Sequence, residues 1–457
     1  MSDIKNTNII FFVLLYCLYL SLIHLFSLVN LGPLSSFLTF FLVTLTYIII
    51  AFPLAFISIF KSDYKSITLV LSIIFVSRVL FGFFHQIIFF GVDYFQDPSN
   101  FIGIYEAEWM HNLLIKYSDP NSELAPFFSF SIMSEDGIMR DKSAELHFYN
   151  SIIYKSFGNY SYNIIIWNSL HIMLISAFLS FIALSLTKSN TIAFRTLVLS
   201  AFYPNGLFTN MMYRDITGLA FLCFGCLIFI ISSQKGTIQF VLSILVFCVC
   251  GYLLREPYFA LIFVTCCFIG LKKVSKENPI TLGFVVLLGS IILFLSVYTI
   301  IQISFFRYAV GDSPVAFSAY QLIKNIKIFI LGPFPFYQFF TKVHGFEFQA
   351  QHYPLIIYNW IIFYLVLTNI RQILKTKLSS LFFISLGFLS SLILFSAHLH
   401  IDYMVPGIIF LIPIIANFKF PMKTLLLFST IIYLSLNLFY FIFSMILTGN
   451  PFMGIFS

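Results

Sequence analysis

The stretch Ser35–Phe60, SSFLTFFLVTLTYIIIAFPLAFISIF, contains no charged residue. The hydrocarbon core of a bilayer is about 30 Å thick, and a helix of about 20 apolar residues spans it. Two further runs of this kind are Ile280–Gln302 and Thr424–Leu447. The sequence therefore predicts an all-α, polytopic integral membrane protein with a single transmembrane domain over residues 1–457.

The composition agrees with this class, since 60% of the residues are hydrophobic and only 9% are charged. Strands of a membrane barrel would show short segments of alternating hydrophobicity instead. The formal charge of +7 is spread over the loops, so nucleic acid is not an expected partner. All seven cysteines lie in apolar runs, where cysteine behaves as a small buried hydrophobe. We expect no disulfide and no metal site.

Apolar runs between polar breaks predict about thirteen transmembrane helices, within a range of about 11–14. The runs are 9–29, 35–60, 66–90, 162–187, 191–208, 216–233, 237–254, 257–271, 280–302, 354–370, 378–397, 404–418 and 423–448. The runs at 191–208 and 257–271 are the weakest because they are short or marked by proline. A miscount there would move the segments between them to the other face of the membrane.

The distribution of charge predicts the orientation, because cytoplasmic loops are enriched in Lys and Arg. With a cytoplasmic N-terminus, the inner loops carry 14 basic residues and only three acids, Asp3, Asp63 and Glu277. The opposite face receives 15 of the 18 acids, ten of them within residues 91–160. We therefore expect a multi-pass membrane protein with a cytoplasmic N-terminus, whose long loops lie on the opposite, outer face.

Two long hydrophilic segments, 91–160 and 303–353, lie on this predicted outer face. Loops of this length in compact proteins are usually functional. Within the first, Phe101–Lys116 (FIGIYEAEWMHNLLIK) mixes apolar and charged residues at helical spacing. This pattern predicts a short amphipathic helix, which either lies at the membrane interface or packs over the end of the helix bundle.

Two arginine–acid dipeptides stand out because charges at a membrane boundary are costly and usually functional. They are Arg214-Asp215, at the predicted outer end of one span, and Arg255-Glu256, at an outer turn between two spans. Arginine is always charged and binds phosphate in a bidentate manner. The two arginines therefore suit a pyrophosphate held near the lipid surface. Alternatively, each arginine extends to lipid headgroups and pairs with its neighbouring acid.

Residues that could transfer a proton are predicted on the same face. His398, His400 and Asp402 lie in one outer turn, and histidine is well matched to proton transfer near neutral pH. Asp93 and Asp97 follow the third span, where a carboxylate could act as a general base or accept a sugar hydroxyl. The alternatives are a polar turn at headgroup level for the histidines and an ordinary Asp-Pro turn for the aspartates.

Three further basic residues complete the set of candidates. Arg307 and Lys342, in the second outer loop, would supply positive charge to a phosphate or an acidic sugar, or would be solvated loop charges. Arg78 lies inside the span 66–90, and an arginine within a membrane span is a functional candidate by default. It could equally lock helix packing against an acid or against backbone carbonyls.

Five stretches together resemble bacterial glycan-assembly proteins of the membrane, namely the Wzy-type O-antigen polymerases and the related GT-C glycosyltransferases of lipid-linked sugars. The stretches are Asp93–Asp97, Tyr149–Gly158 (YNSIIYKSFG) followed by Asn168, Tyr203-Pro204 with Arg214-Asp215, Leu254-Arg255, and Gly332–Phe336 (GPFPF). The chain departs from the GT-C enzymes in having no adjacent pair of acids at Asp93–Asp97 and in lacking a soluble periplasmic domain. These departures favour the polymerase.

The resemblance implies an enzyme that joins oligosaccharide repeat units carried on undecaprenyl pyrophosphate. It would be a multi-pass protein of the bacterial inner membrane whose two long loops are periplasmic. Arg214 and Arg255, with Arg307 and Lys342 as further cations, would stabilise the leaving pyrophosphate without a metal or another cofactor. One of the two outer histidines, or one of the two aspartates, would deprotonate the acceptor hydroxyl. The other implied partners are the lipid bilayer and, optionally, a chain-length regulator.

Two alternative functions remain open. One is a GT-C-type transferase that adds a single sugar from a polyprenyl phosphate to a lipid-linked or surface glycan. The other is a transporter or flippase of lipid-linked oligosaccharide, for which charges along a central cavity and internal symmetry are typical. Most charges of this sequence crowd one predicted face, which favours the enzymes.

Overall fold

The computed structural model describes residues 6–29, 31–60, 64–90, 105–122, 144–160, 162–203, 214–233, 237–254, 257–274, 358–359, 361–395 and 401–418. The regular structure within these ranges is helical and contains no strand. Four helical segments there are long and apolar enough to cross a membrane: Ile10–Leu28, Pro33–Phe56, Asn163–Thr187 and Asp215–Ser232. The prediction of an all-α membrane protein is confirmed, and the number of spans stays a prediction.

The described ranges up to residue 274 contain ten helices. They are α1 (Asn6–Leu25), α2 (Pro33–Phe60), α3 (Tyr64–Phe90), α4 (Tyr105–Ser118), α5 (Ala144–Phe157), α6 (Asn163–Thr187), α7 (Asn190–Ala201), α8 (Arg214–Ser232), α9 (Thr237–Leu254) and α10 (Pro257–Val274). A 3₁₀ turn, Phe26–Leu28, continues α1.

The C-terminal part is helical at 358–359 and 361–368 and then forms α11 (Ile370–Leu374), α12 (Ser379–Phe395), α13 (Ile401–Ile408) and α14 (Ile412–Ala416). The predicted span 404–418 is thus interrupted by a 3₁₀ turn at Ile409–Leu411. Pro413 lies in the first turn of α14, where the missing N–H of proline costs no helical hydrogen bond.

Helix α6 occupies the centre of the bundle. Every residue from Asn163 to Leu186 is buried, and α2, α3, α5, α7 and α8 all pack against this helix. A helix that is apolar on all sides is stable either inside a protein or as a membrane span in lipid. In this bundle the neighbouring helices, rather than lipid, cover α6.

The outer surface of α1 carries an apolar stripe. Leu14, Leu18, Leu22 and Leu25 are all exposed, and their spacing of three or four residues places them on one face of the helix. An exposed leucine stripe of this length is unfavourable in water and favourable against lipid chains. The stripe agrees with a membrane environment for the bundle.

Helices α8, α9 and α10 are successive antiparallel neighbours in close contact. A Cβ atom at Gly225 of α8 would lie 2.8 Å from Cβ of Cys250 and 3.0 Å from Cα of Phe247, both in α9. A Cβ at Gly251 would similarly meet Ile262 of α10. Small residues at such contacts allow helix backbones to approach closely in membrane proteins.

Helix α5 lies across one end of the bundle, which we call the α5 end and define as the end where α6 and α8 begin. The carbonyl of Phe157, at the last turn of α5, accepts hydrogen bonds from Ser36 Oγ and, at 3.4 Å, from Asn163 Nδ2. The chain leaves the helix through Gly158, whose φ of +84° suits glycine. Helix α5 is thus fastened to α2 and α6 at its C-terminus.

The close contact at Gly225 generates a stability prediction. Gly225→Ala should lower the free energy of unfolding by about 1–3 kcal/mol, because the added methyl group meets the α9 backbone, which cannot rotate away. The measurement is thermal unfolding of the purified protein in detergent. Gly32→Ala is the matched control, since no atom lies within 4 Å of a Cβ at Gly32. Equal melting temperatures for the two variants would contradict the packing described here.

Candidate functional site

The first turn of α8 and the last turn of α9 lie side by side at the α5 end. A Cβ atom at Gly218 would lie 2.9 Å from Cα of Leu254, so the two backbones are in direct contact there. Arg214 is the first residue of α8, one turn before Gly218, and Arg255 follows Leu254 directly in the chain. Helices α8 and α9 form an antiparallel pair. One arginine–acid dipeptide begins α8, and the other directly follows the end of α9 that lies beside it.

The start of α8 also has a favourable electrostatic character for an anion. The first N–H groups of a helix have no partner within the helix, and the helix dipole adds a partial positive charge there. Asp215 lies in this first turn, and its side chain is half-buried. Arginine and free amide groups at one helix end are the donors that phosphate groups bind.

Most of the other predicted site residues lie outside the described residues. These are Asp93, Asp97, Arg255, Glu256, Arg307, Lys342, His398 and His400. The structure describes the backbone of Arg214 and of Asp402, which lies in α13, but not their side chains. The roles assigned to all of these residues stay predictions, as do the two periplasmic loops.

Arg78 is described in full and is almost completely buried, with 1% of its surface exposed. Its Nη2 donates hydrogen bonds to the carbonyls of Ala201, at 2.5 Å, and Tyr203, at 2.9 Å. These carbonyls belong to the C-terminal end of α7, where helical C=O groups lack partners within the helix. Arg78 therefore locks α3 to the end of α7 through backbone carbonyls, one of the two packing roles that the sequence left open.

The contacts around Arg78 continue to a third segment. Tyr203 donates its hydroxyl hydrogen to Asn359 Oδ1 at 2.6 Å, and Tyr358 donates to the carbonyl of Leu199 at 3.2 Å. These bonds tie residues 358–359 to the same helix end. Arg78, α7 and this later segment thus form one buried polar connection between distant parts of the chain.

A second buried cluster, which the sequence did not reveal, joins α1, α5 and α6. The Tyr149 hydroxyl lies 3.1 Å from His171 Nε2 and is hydrogen-bonded to the Tyr16 hydroxyl, which lies 3.3 Å from the same nitrogen. His171 Nδ1 donates to the carbonyl of Trp167 at 2.8 Å, which leaves Nε2 facing the two tyrosines. The one sequence signal was Tyr149 itself, which begins the motif YNSIIYKSFG.

Asn150, the next residue of α5, connects α5 to two more helices. Its side-chain oxygen accepts hydrogen bonds from Trp167 Nε1 at 2.8 Å and from Thr217 Oγ1 at 3.1 Å. Thr217 lies in the first turn of α8, three residues after Arg214. Asn150 is the second residue of the motif YNSIIYKSFG, but the sequence assigned no role to it or to Thr217, because neither residue type is unusual at a loop or helix end.

Helix α4 forms a second layer on α5. His111 Nδ1 lies 2.6 Å from the Tyr154 hydroxyl, and Ser151 Oγ donates to the carbonyl of Tyr117 at 3.2 Å. The described residues of this segment therefore pack on the helix that covers the bundle end. The α5 end carries two helical layers and the adjacent ends of α8 and α9.

No protein-family model, curated protein or solved structure compared with the chain matches it. The arrangement itself defines a helical membrane protein with a polar, two-layered end. At this end the start of α8 offers the positive end of a helix dipole and an arginine position, which together are suited to an anionic group at the membrane boundary.

The buried position of Arg78 generates a second stability prediction. Arg78→Met should destabilise the protein by about 1–3 kcal/mol, because two buried carbonyls lose their donor. Arg195→Met is the matched control: Arg195 Nη1 donates to one carbonyl, that of Phe418, at 2.8 Å, and its side chain is only half-buried. Its loss should cost about 1 kcal/mol or less. Thermal unfolding of the two purified variants in detergent compares these losses of stability. A larger loss of stability for Arg195→Met than for Arg78→Met would contradict the packing role of Arg78.

Proposed function

We propose that the chain is a membrane-embedded glycosyltransferase of the polysaccharide-polymerase type. It would join repeat units carried on undecaprenyl pyrophosphate, with the reaction at the α5 end of the bundle. The observation that carries the proposal is the backbone contact between Gly218 and Leu254. This contact supports a shared site because each arginine–acid dipeptide belongs to one of the two helix ends that meet there.

The proposed reaction is a displacement at the anomeric carbon of the donor sugar. The acceptor hydroxyl oxygen forms a bond to this carbon while the bond from the carbon to the pyrophosphate oxygen breaks. Negative charge develops on the departing undecaprenyl pyrophosphate, and the acceptor proton passes to a protein base. Fixed positive groups that face the developing charge lower the barrier, because they need no reorganisation during the reaction.

The residues divide between these tasks as follows. Arg214 and Arg255 bind the pyrophosphate, and the positive end of the α8 dipole adds to its stabilisation. His398 or His400 is the proposed base. Arg78 has no direct part in this scheme; it supports the site by fixing the end of α7, from which the chain continues toward α8.

Substitution of the arginines tests the proposal. Arg214→Ala and Arg255→Ala should each lower chain extension by about 100-fold or more, because each removes a charged donor that acts on the leaving group. The assay follows extension of undecaprenyl-pyrophosphate-linked repeat units by the purified protein. Arg371→Ala is the control, since Arg371 is an exposed arginine of α11. Normal extension by both variants would show that the arginines do not bind the leaving group.

Deletion of the gene separates a polymerase from the alternative functions. Loss of a polymerase should leave surface lipopolysaccharide with a single repeat unit and no ladder on a gel. Loss of a single-sugar transferase should preserve the ladder and change its sugar content, whereas loss of a flippase should remove even the single repeat. An unaltered ladder with unaltered sugar content would contradict both glycosyltransferase functions.

A further inference from the structure

Helix α5 packs directly on the first turn of α8. A Cβ atom at Gly218 would lie 3.2 Å from Cδ1 of Leu146, and Thr217 donates its hydroxyl hydrogen to Asn150 Oδ1 at 3.1 Å. Leu146 and Asn150 are four residues apart and therefore share one face of α5. One face of α5 thus contacts two consecutive residues of α8, Thr217 and Gly218, which follow the arginine–aspartate pair after one intervening residue.

The hydrogen bonds of Asn150 fix the orientation of its amide group. The indole N–H of Trp167 can only donate, so the atom of Asn150 that faces it at 2.8 Å is the oxygen. The same oxygen accepts from Thr217, so two helices, α6 and α8, share one acceptor. Asn150 is 3% exposed and Thr217 is fully buried, which excludes exchange of these bonds for bonds to water.

Helix α5 is itself held in place independently of α8. Tyr149 is hydrogen-bonded to the Tyr16 hydroxyl of α1 and lies 3.1 Å from His171 Nε2 of α6. The last turn of α5 is fastened by Ser36 of α2 and Asn163 of α6. The side-chain oxygen of Asn150 therefore has a fixed position, because α5 is held by α1, α2 and α6. The hydrogen bond from Thr217 to this oxygen fixes the position of the first turn of α8.

We propose that Asn150 is a positioning residue for Arg214 and Asp215, and that it acts through Thr217. Positions 214 and 217 are three residues apart and lie on the same side of α8. The bond to Asn150 sets the rotation of this first turn and hence the direction in which the arginine leaves the helix. This role rests on the proposed function, in which Arg214 must meet the developing charge accurately, since a misplacement of about 1 Å can cost about 100-fold in rate.

The test is Thr217→Val, which keeps the shape of the side chain and removes only the hydroxyl donor. For extension of undecaprenyl-pyrophosphate-linked repeat units extracted from the gene-deletion strain, kcat should fall about tenfold. KM should change less than about twofold, because the amides at the start of α8 still bind the ground state. Thr217→Ser should restore kcat, because serine supplies the same donor.

Trp167→Phe is the matched control. It removes the other hydrogen bond to the same oxygen of Asn150 but leaves the bond to α8 intact, so kcat should stay within about twofold of wild type. An equal fall in kcat for Trp167→Phe and Thr217→Val would show a general loss of packing and would overturn the positioning role.

Hydrogen exchange provides a readout that does not depend on activity. The amides of residues 218–221 donate to carbonyls of the first turn of α8 in a regular helix. Their exchange should rise about tenfold in Thr217→Val, while exchange in the middle of α8 stays unchanged. Unchanged exchange at 218–221, or unchanged kcat in Thr217→Val beside an active wild type, contradicts the positioning role alone. A wild-type protein without any glycosyl transfer contradicts the proposed function instead.

Discussion

The contact between Gly218 and Leu254 is the constraint on which the candidate site depends. Because glycine has no side chain, the backbones of α8 and α9 touch at the α5 end, and Gly225 repeats the close approach further along the hairpin. Two approaches on one helix pair fix both the separation and the antiparallel direction of α8 and α9. Helices α8 and α9 thereby form one closely packed pair, and the first residue of α8 stays close to the end of α9.

Helix α5 completes this end because several of its polar side chains find partners inside the protein. In an apolar environment each unsatisfied polar group costs several kcal/mol, so a helix across a membrane bundle must satisfy its side chains from its neighbours. Tyr149 and Asn150 do so with α1, α6 and α8. Residues 91–160, which contain ten of the 18 acids, thus contribute a helix that packs on the bundle as well as negative charge.

Sequence patterns predicted the membrane class correctly because hydrophobicity is a local property that adds along a run such as Ser35–Phe60. The partners of buried polar groups are not local. Arg78 donates a hydrogen bond to a carbonyl 123 residues away in the sequence. The residues next to Arg78 in the sequence do not indicate which carbonyl this is. Asn150 likewise resembles any asparagine of a loop until its two donors are known. The sequence therefore indicated the charged residues at unusual positions. Only the structure identified the uncharged residues whose hydrogen bonds fix the helix ends.

Arg214 and Arg255 differ in whether the dipole of the adjacent helix favours their positive charge. Arg255 directly follows the last residue of α9, and a positive charge at the C-terminus of a helix is favoured by the helix dipole. Arg214 begins α8, where the dipole opposes a positive charge and favours the neighbouring Asp215. Helix electrostatics alone thus accounts for Arg255 and Asp215 but not for Arg214. An anion at the start of α8 would reverse this cost, because it would be attracted both by the arginine and by the positive end of the helix dipole.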